Sequence, residues 1–190
     1  MNPQRTITEL KELRALTSDD NGAQRVAWTG TWLKSRAWFT EKLKGLPIED
    51  HYDAAGNRWI TLHGASEKAL LLGSHLDSVP NGGWLDGCLG VMTSLEILRG
   101  FVDKYGGRPP LTIRLVDFAD EEGARFGRSL LGSSAFAGTH SIEADRGKKD
   151  KDGIRLEDAL KNCGVDIDRF PEAAIERQHA AAAYLELHIE

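Results

Sequence analysis

A β-α-β pattern in the middle of the chain limits the possible folds more than any other feature. Residues 69–73 form a short, continuous apolar segment, which is typical of a strand buried on both faces. Residues 86–105 carry apolar side chains at helical spacing and are followed by Gly106 and Gly107. Residues 111–119 alternate between apolar and polar side chains, which indicates a second strand. Strands separated by a helix predict an α/β domain with a largely parallel sheet.

The flanking segments extend this pattern. Leu10 and Leu13 belong to an apolar stripe that predicts a helix over residues 5–17, and Trp28 and Trp32 belong to one that predicts a helix over residues 23–45. The other predicted elements are a strand over residues 58–63, short helices over 133–139 and 155–162, and a last strand over 184–189.

Composition excludes two classes of function. The chain has 190 residues and a net charge of −5, without a basic cluster, which argues against nucleic-acid binding. Its apolar segments are far shorter than the ~20 residues that a membrane-spanning helix needs. The N-terminus lacks a secretory signal, and two cysteines do not make a disulfide framework, so we expect a cytoplasmic location.

Acidic and imidazole side chains occur where the predicted strands end. Ligands of open α/β sheets bind in the crevice outside the carboxyl ends of the strands. Separate segments therefore bring a common set of side chains to one rim of the sheet. These side chains are His75, Asp77, Asp86, Glu121, Glu122 and His188.

Imidazoles combined with carboxylates are the ligands of zinc and similar divalent ions. A carboxylate can bridge two such ions, and one of two adjacent glutamates can bind metal while the other accepts a proton from water. Both glutamates reach one site only if the backbone turns there, which Gly123 permits. Each residue alone also has a commoner structural explanation. For Asp86 this is capping of the following helix, and for the Glu121–Glu122 pair it is surface charge.

Three motifs resemble one known family. Residues 73–87 (GSHLDSVPNGGWLDG) resemble the first metal motif of the M20 metallopeptidase superfamily, in the branch of N-carbamoyl-L-amino acid hydrolases, allantoate amidohydrolases and β-ureidopropionases. Residues 121–126 (EEGARF) and 131–133 (LGS) are similar to the second motif of that branch. Residues 184–190 (YLELHIE) are similar to the opening of its third motif.

This resemblance implies a fold and a set of roles. The fold is a three-layer α/β/α domain with a mixed, largely parallel sheet. Two divalent ions are implied, either zinc or manganese, cobalt or nickel. The implied roles are His75 and His188 on one metal, Asp86 as the bridge, Glu122 on the second metal, Glu121 as general base and Asp77 as the carboxylate that orients the site.

The resemblance also implies a reaction and a domain arrangement. The reaction is hydrolysis of the linear C–N bond of an N-carbamoyl (ureido) amino acid or allantoate. Residues 1–190 correspond to the N-terminal portion of the catalytic domain. The family's lid and dimerisation domain and the C-terminal part of its catalytic domain lie outside these residues. We therefore expect a homodimer only for the complete family protein, impaired hydrolysis by this chain alone, and an open apolar sheet edge or face that favours self-association.

Two other functions remain open at this stage. One is an aminoacylase or dipeptidase of the M20 superfamily that acts on ordinary amides. The other is a non-catalytic metal-binding fragment. A nucleotide-binding domain is excluded because no glycine-rich phosphate loop follows a predicted strand.

Overall fold

The computed structural model describes residues 1–179 and 181–189, so Glu190, the last residue of the third motif, lies outside the described residues. Within these described residues the chain forms seven strands and six α-helices, with a 3₁₀ helix before the last strand. In chain order they are α1 (Pro3–Thr17), β1 (Ser18–Asp19), β2 (Gly22–Ala23), α2 (Gly30–Leu43), β3 (Glu49–Tyr52), β4 (Arg58–Leu62), β5 (Ser66–His75), α3 (Cys88–Tyr105), β6 (Leu111–Phe118), α4 (Leu131–Ala137), α5 (Ile142–Asp145), α6 (Leu156–Asn162), the 3₁₀ helix (Ile167–Gln178) and β7 (Ala181–Leu185).

The main sheet has five strands in the order β3-β4-β6-β5-β7. Strand β5 pairs in parallel with both β6 and β7, whereas β4 pairs antiparallel with β3 and β6. Only β4 is therefore reversed, and the predicted mixed, largely parallel sheet is confirmed. The chain places β6 on one side of β5 and β7 on the other. The crevice at the carboxyl end of β5 is therefore a topological switch point, where open α/β sheets bind ligands.

Alternating side chains of the strands project from both faces of this sheet and pack against helices. Ile60, Leu72 and Leu115 pack in one cluster with side chains of α1, α2 and α3. Trp59 and Val116 point to the opposite face and pack near Phe136 of α4. Helices thus cover both faces, and the predicted three-layer α/β/α arrangement is confirmed.

The second helix begins later than the prediction from residue 23. Ser78 contacts the backbone of Arg25 twice, through its own N–H and through its hydroxyl, which fixes that segment against the loop after β5. Trp28 has a φ of 62°, which is incompatible with a helix. Thr29 then caps α2 by accepting a hydrogen bond from the Trp32 N–H.

The last strand ends earlier than predicted. Strand β7 pairs with β5 only as far as the Leu72–Leu185 pair. The predicted strand over residues 184–189 is therefore wrong for residues 186–189. Strand β7 lies at an edge of the sheet, and its residues are exposed. None of the described helices is long and apolar enough to cross a bilayer.

Candidate active site

The carboxyl end of β5 carries the centre of the candidate site. His75 is the last residue of β5, and only 2% of its surface is exposed. Gly87 lies against it, because a Cβ at Gly87 would come within 2.5 Å of the His75 Cε1 atom. Gly87 also has a φ of 63°, so the turn before α3 requires glycine for both its backbone conformation and the space it leaves.

Three of the predicted ligands meet at this point. The ligand atoms of His75, Asp86 and His188 all lie within 4.8 Å of one another. Asp86 Oδ1 is 3.3 Å from His188 Nε2 and 3.9 Å from His75 Nε2. Two ligands of one tetrahedral zinc ion, each about 2.0–2.1 Å from it, are separated by about 3.3 Å, so this donor set fits a divalent ion.

The second ring nitrogen of each histidine faces a backbone carbonyl. His75 Nδ1 is 3.1 Å from the Asp77 carbonyl oxygen, and His188 Nδ1 is 2.6 Å from the Ile189 carbonyl oxygen. With Nδ1 as the protonated donor in each ring, both Nε2 lone pairs are directed away from these carbonyls and are available to a metal.

Asp86 is not a helix cap in this structure. Gly87 occupies the N-cap position of α3, and this cap has no side-chain hydrogen bond. The structural explanation that competed with metal binding is therefore excluded for Asp86. Its carboxylate is one-third exposed and faces the two imidazoles instead.

A turn after β6 brings the two glutamates to the same rim. Asp77 Oδ1 accepts a hydrogen bond from the Glu121 N–H at 3.2 Å, and its Oδ2 accepts one from the Glu122 N–H at 3.1 Å. Glu121 Oε2 lies 3.7 Å from His75 Nε2. Glu122 is outside the three-ligand group, so among the described residues the ligand set of a second metal is not assembled.

Burial and neighbouring charges shift the pKa values at this rim. Burial alone would lower the pKa of His75, but the carboxylates of Asp77, Glu121 and Glu122 outweigh it and raise that pKa to about 9. Burial raises the pKa of both Glu121 and Glu122, with Asp77 and Asp86 adding to it and His75 opposing it. The negative field that favours a proton on His75 also favours a metal cation, and a raised pKa suits a glutamate that accepts a proton near neutral pH.

The residues that support the His188 segment were not among the predicted site residues. Glu186 accepts hydrogen bonds from the hydroxyls of Ser74 and Tyr184. Gly90 of α3 allows the Leu187 carbonyl to approach, since a Cβ there would lie 2.7 Å from that oxygen. Two of these residues could have been identified from the sequence by their nearness to a predicted ligand, because Ser74 precedes His75 and Glu186 lies two residues before His188.

Comparison with known proteins finds one family model and several curated relatives. The family model described as Peptidase family M28 matches residues 57–157, which is more than half of the chain. The N-carbamoyl-L-amino acid amidohydrolase of Geobacillus stearothermophilus is 39% identical over 171 residues, covering 89% of this chain and 41% of that protein. The allantoate amidohydrolase of Escherichia coli (strain K12) is 32% identical over the same shares of the two chains.

A solved structure shares the fold. A hydantoinase/carbamoylase family amidase from Burkholderia ambifaria superposes with a TM-score of 0.82 at 29% identity, over 100% of this chain and 46% of that one. The chain spans about two-fifths of the length of the curated relatives named above. The relatives are the amidohydrolases predicted from the motifs, so the predicted branch is confirmed. The family model that matches is that of peptidase family M28, whereas the motifs resembled those of the M20 superfamily. The chain therefore belongs to peptidase family M28, and its relatives are the N-carbamoyl-L-amino acid and allantoate amidohydrolases.

Proposed function

We propose that this chain is the metal-binding, N-terminal portion of the catalytic domain of an amidohydrolase that cleaves linear C–N bonds of N-carbamoyl amino acids or allantoate. One observation carries the proposal. One ring nitrogen each of His75 and His188 and a carboxylate oxygen of Asp86 lie within 4.8 Å of one another, and Glu121 lies 3.7 Å from His75. The relatives are an N-carbamoyl-L-amino acid amidohydrolase and an allantoate amidohydrolase, which supports the choice of substrate class.

The residues of this chain divide the work as follows. His75, Asp86 and His188 bind a divalent ion, and Asp77 orients the site through the Glu121 and Glu122 N–H groups. Such an ion supplies electrophilic polarisation of the scissile carbonyl and makes water more acidic.

Glu121 moves the proton. It accepts one from the attacking water, whose oxygen forms the new bond to the carbonyl carbon. It then returns that proton to the leaving nitrogen as the C–N bond breaks. Glu121 is one-third exposed, so water can reach its carboxylate.

Several finer assignments belong to the same proposal. Asp86 and Glu122 would help to hold a second ion, and zinc is one candidate beside manganese, cobalt and nickel. The complete protein acts in the cytoplasm as a homodimer on a small ureido substrate, without a nucleic-acid or membrane partner. The family description as peptidases supports one alternative, hydrolysis of an ordinary amide or peptide bond.

Metal binding by the 190-residue chain is the first test. Dialysis against Zn²⁺ followed by elemental analysis should find bound zinc, and zinc should raise the melting temperature because it binds only the folded state. His75→Ala should lose both effects. His63→Ala is the matched control, because His63 is an exposed histidine that contacts Glu49. Equal zinc content in wild type and His75→Ala would refute the site.

A substrate panel is the second test. The chain is joined to the part of the Geobacillus relative that follows its matched region, and the chimera is assayed with ureido acids, N-acyl amino acids and dipeptides. We expect preference for the ureido acids and a loss of roughly 10²–10⁴-fold in kcat for Glu121→Gln. Preference for dipeptides would establish the alternative. Zinc binding without hydrolysis of any substrate would identify a non-catalytic metal module.

A further inference from the structure

A buried hydrogen bond links the segment before α2 to residues 119–127, the turn after β6 that carries Glu121 and Glu122 and is called the glutamate turn below. The indole Nε1–H of Trp28 donates to Asp120 Oδ2 at 2.7 Å, across 92 residues of chain. Both residues are buried, with 3% and 1% of their surfaces exposed. The carbonyl oxygen of Trp28 also accepts a hydrogen bond from Arg125 of the same turn. The segment before α2 therefore contacts the glutamate turn through its side chain and its backbone.

Asp120 holds an unusual backbone conformation directly before the two glutamates. Its φ is 55°, in the left-handed region that residues with a Cβ rarely adopt. In a regular strand Glu121 and Glu122 would point to opposite faces, so the reversal at Asp120 allows both to reach one rim. Such a conformation persists only where surrounding contacts hold it.

We propose that Trp28 is a positioning residue for Glu121, because its indole N–H holds Asp120 in the left-handed conformation that turns Glu121 toward His75. Asp77 fixes this turn from the side of β5 through the two glutamate N–H groups. Trp28 contacts the same turn through the Asp120 carboxylate. The inference rests on the proposed function for the role of Glu121, whereas the contact between Trp28 and the turn stands independently of it.

The neighbouring tryptophan supplies a matched control. Trp32 is equally buried, and its ring centroid is 4.8 Å from that of Trp28. The Trp32 Nε1 atom has no hydrogen-bond partner among the described residues. Replacement of either indole by a phenyl ring removes a similar volume from the same cluster, but only Trp28→Phe removes a hydrogen bond to the glutamate turn.

Hydrogen exchange in the metal-free 190-residue chain tests the inference without any assay of activity. Trp28→Phe should speed exchange of the Glu121 and Glu122 amides roughly tenfold, because their bonds to Asp77 open more often. Trp32→Phe should leave these two amides at the wild-type rate. Asp120→Asn retains an acceptor oxygen for the indole and should rescue most of the protection that Asp120→Ala loses.

The chimera described above gives the functional readout. Trp28→Phe should lower kcat about tenfold with little change in KM, whereas Trp32→Phe should lower neither. Amide exchange that is the same in both tryptophan variants, or that rises equally over the whole chain, would overturn the positioning role. An inactive wild-type chimera would refute the proposed function, and the exchange experiment would still decide whether Trp28 orders the turn.

Discussion

Ser74 donates a 2.6 Å hydrogen bond to Glu186, and this contact joins the strand that carries His75 to the segment that carries His188. Residues 186–189 lie beyond the last strand pair, so the sheet ladder does not position His188. The Ser74–Glu186 contact and the close approach of the Leu187 carbonyl to Gly90 replace it. The separation between the two imidazoles therefore depends on contacts outside the sheet ladder, among them the Ser74–Glu186 hydrogen bond and the absence of a Cβ at Gly90.

We predict that Ser74→Ala weakens metal binding by the 190-residue chain. Loss of the hydroxyl frees Glu186 and the segment that presents His188, and loss of such a supporting contact lowers metal affinity about 10–100-fold. Isothermal titration with Zn²⁺ measures the change. Ser66→Ala, at the opposite end of the same strand, is the control and should bind as wild type does. Wild-type affinity in Ser74→Ala would show that His188 is held by other contacts.

The strand-end positions of the site residues could be predicted because they depend on local pattern. The apolar segment at residues 69–73 marks a buried strand, and whatever follows such a strand in an α/β sheet lies at the ligand-binding rim. This placed His75, Asp77 and the two glutamates on one rim, and the structure brings Glu121 to 3.7 Å from His75.

The supporting contacts could not be predicted in the same way. The Trp28–Asp120 bond joins residues 92 positions apart, and no local pattern encodes such a pair. The positive φ of Asp120 is set by tertiary contacts that override the preference of a residue with a Cβ. The sequence of strand β3, EDHY, is polar and carries no strand pattern, because the order of this strand comes from its pairing with β4.

We predict that Gly87→Ala disrupts the metal site. The new Cβ would lie 2.4 Å from the His75 carbonyl oxygen and 2.5 Å from its Cε1 atom, so the imidazole must move. Gly106→Ala is a close control, because Gly106 flanks the other end of α3 with a φ of 60° and has open space around it.

Gly106→Ala should cost about 1–2 kcal/mol of folding free energy through its left-handed backbone, and Gly87→Ala should cost more because its ψ of −47° lies outside the αL region and its Cβ meets His75; only Gly87→Ala should abolish zinc binding. Chemical denaturation and zinc titration of the two variants separate these effects. Full zinc binding by Gly87→Ala would contradict the prediction, because it would show that the turn before α3 can shift without moving the His75 imidazole.

We predict that Glu176→Gln destabilises the fold in a pH-dependent way. Glu176 of the 3₁₀ helix pairs with the buried Arg114 guanidinium of β6 and with His51 of β3. Burial alone would raise the pKa of Glu176, but the hydrogen bonds from His51 and Arg114 outweigh it and hold the pKa below its ordinary value. The glutamine variant leaves Arg114 buried without a charge partner, which should cost about 2 kcal/mol at pH 7.

The sign of the pH effect follows from the lowered pKa. The carboxylate stabilises the fold above the pKa of an unfolded glutamate, about 4.3, and this contribution is lost as the pH falls through the lower value in the folded state. Urea denaturation should therefore show a constant difference in the free energy of unfolding between wild type and Glu176→Gln above about pH 5, and a shrinking difference below pH 4.

Glu172→Gln is the control. It removes an exposed carboxylate that pairs with Arg169 and should change the stability little at either pH. A gap that stays constant into the acid range would contradict the pairing of Glu176.

We predict that the exposed edge of the sheet makes the 190-residue chain self-associate. Strand β7 lies last in the sheet, and Leu185 and Leu187 expose 58% and 51% of their surfaces. An apolar edge strand is a template for pairing with a second copy, and a charge on such an edge opposes pairing. Sedimentation velocity over a concentration series should show association of the wild type and a monomer for Leu185→Lys. Leu33→Lys places the same charge on α2 at a residue 43% exposed, so it should still associate. A wild-type chain that stays monomeric at every concentration would show that the β7 edge does not pair.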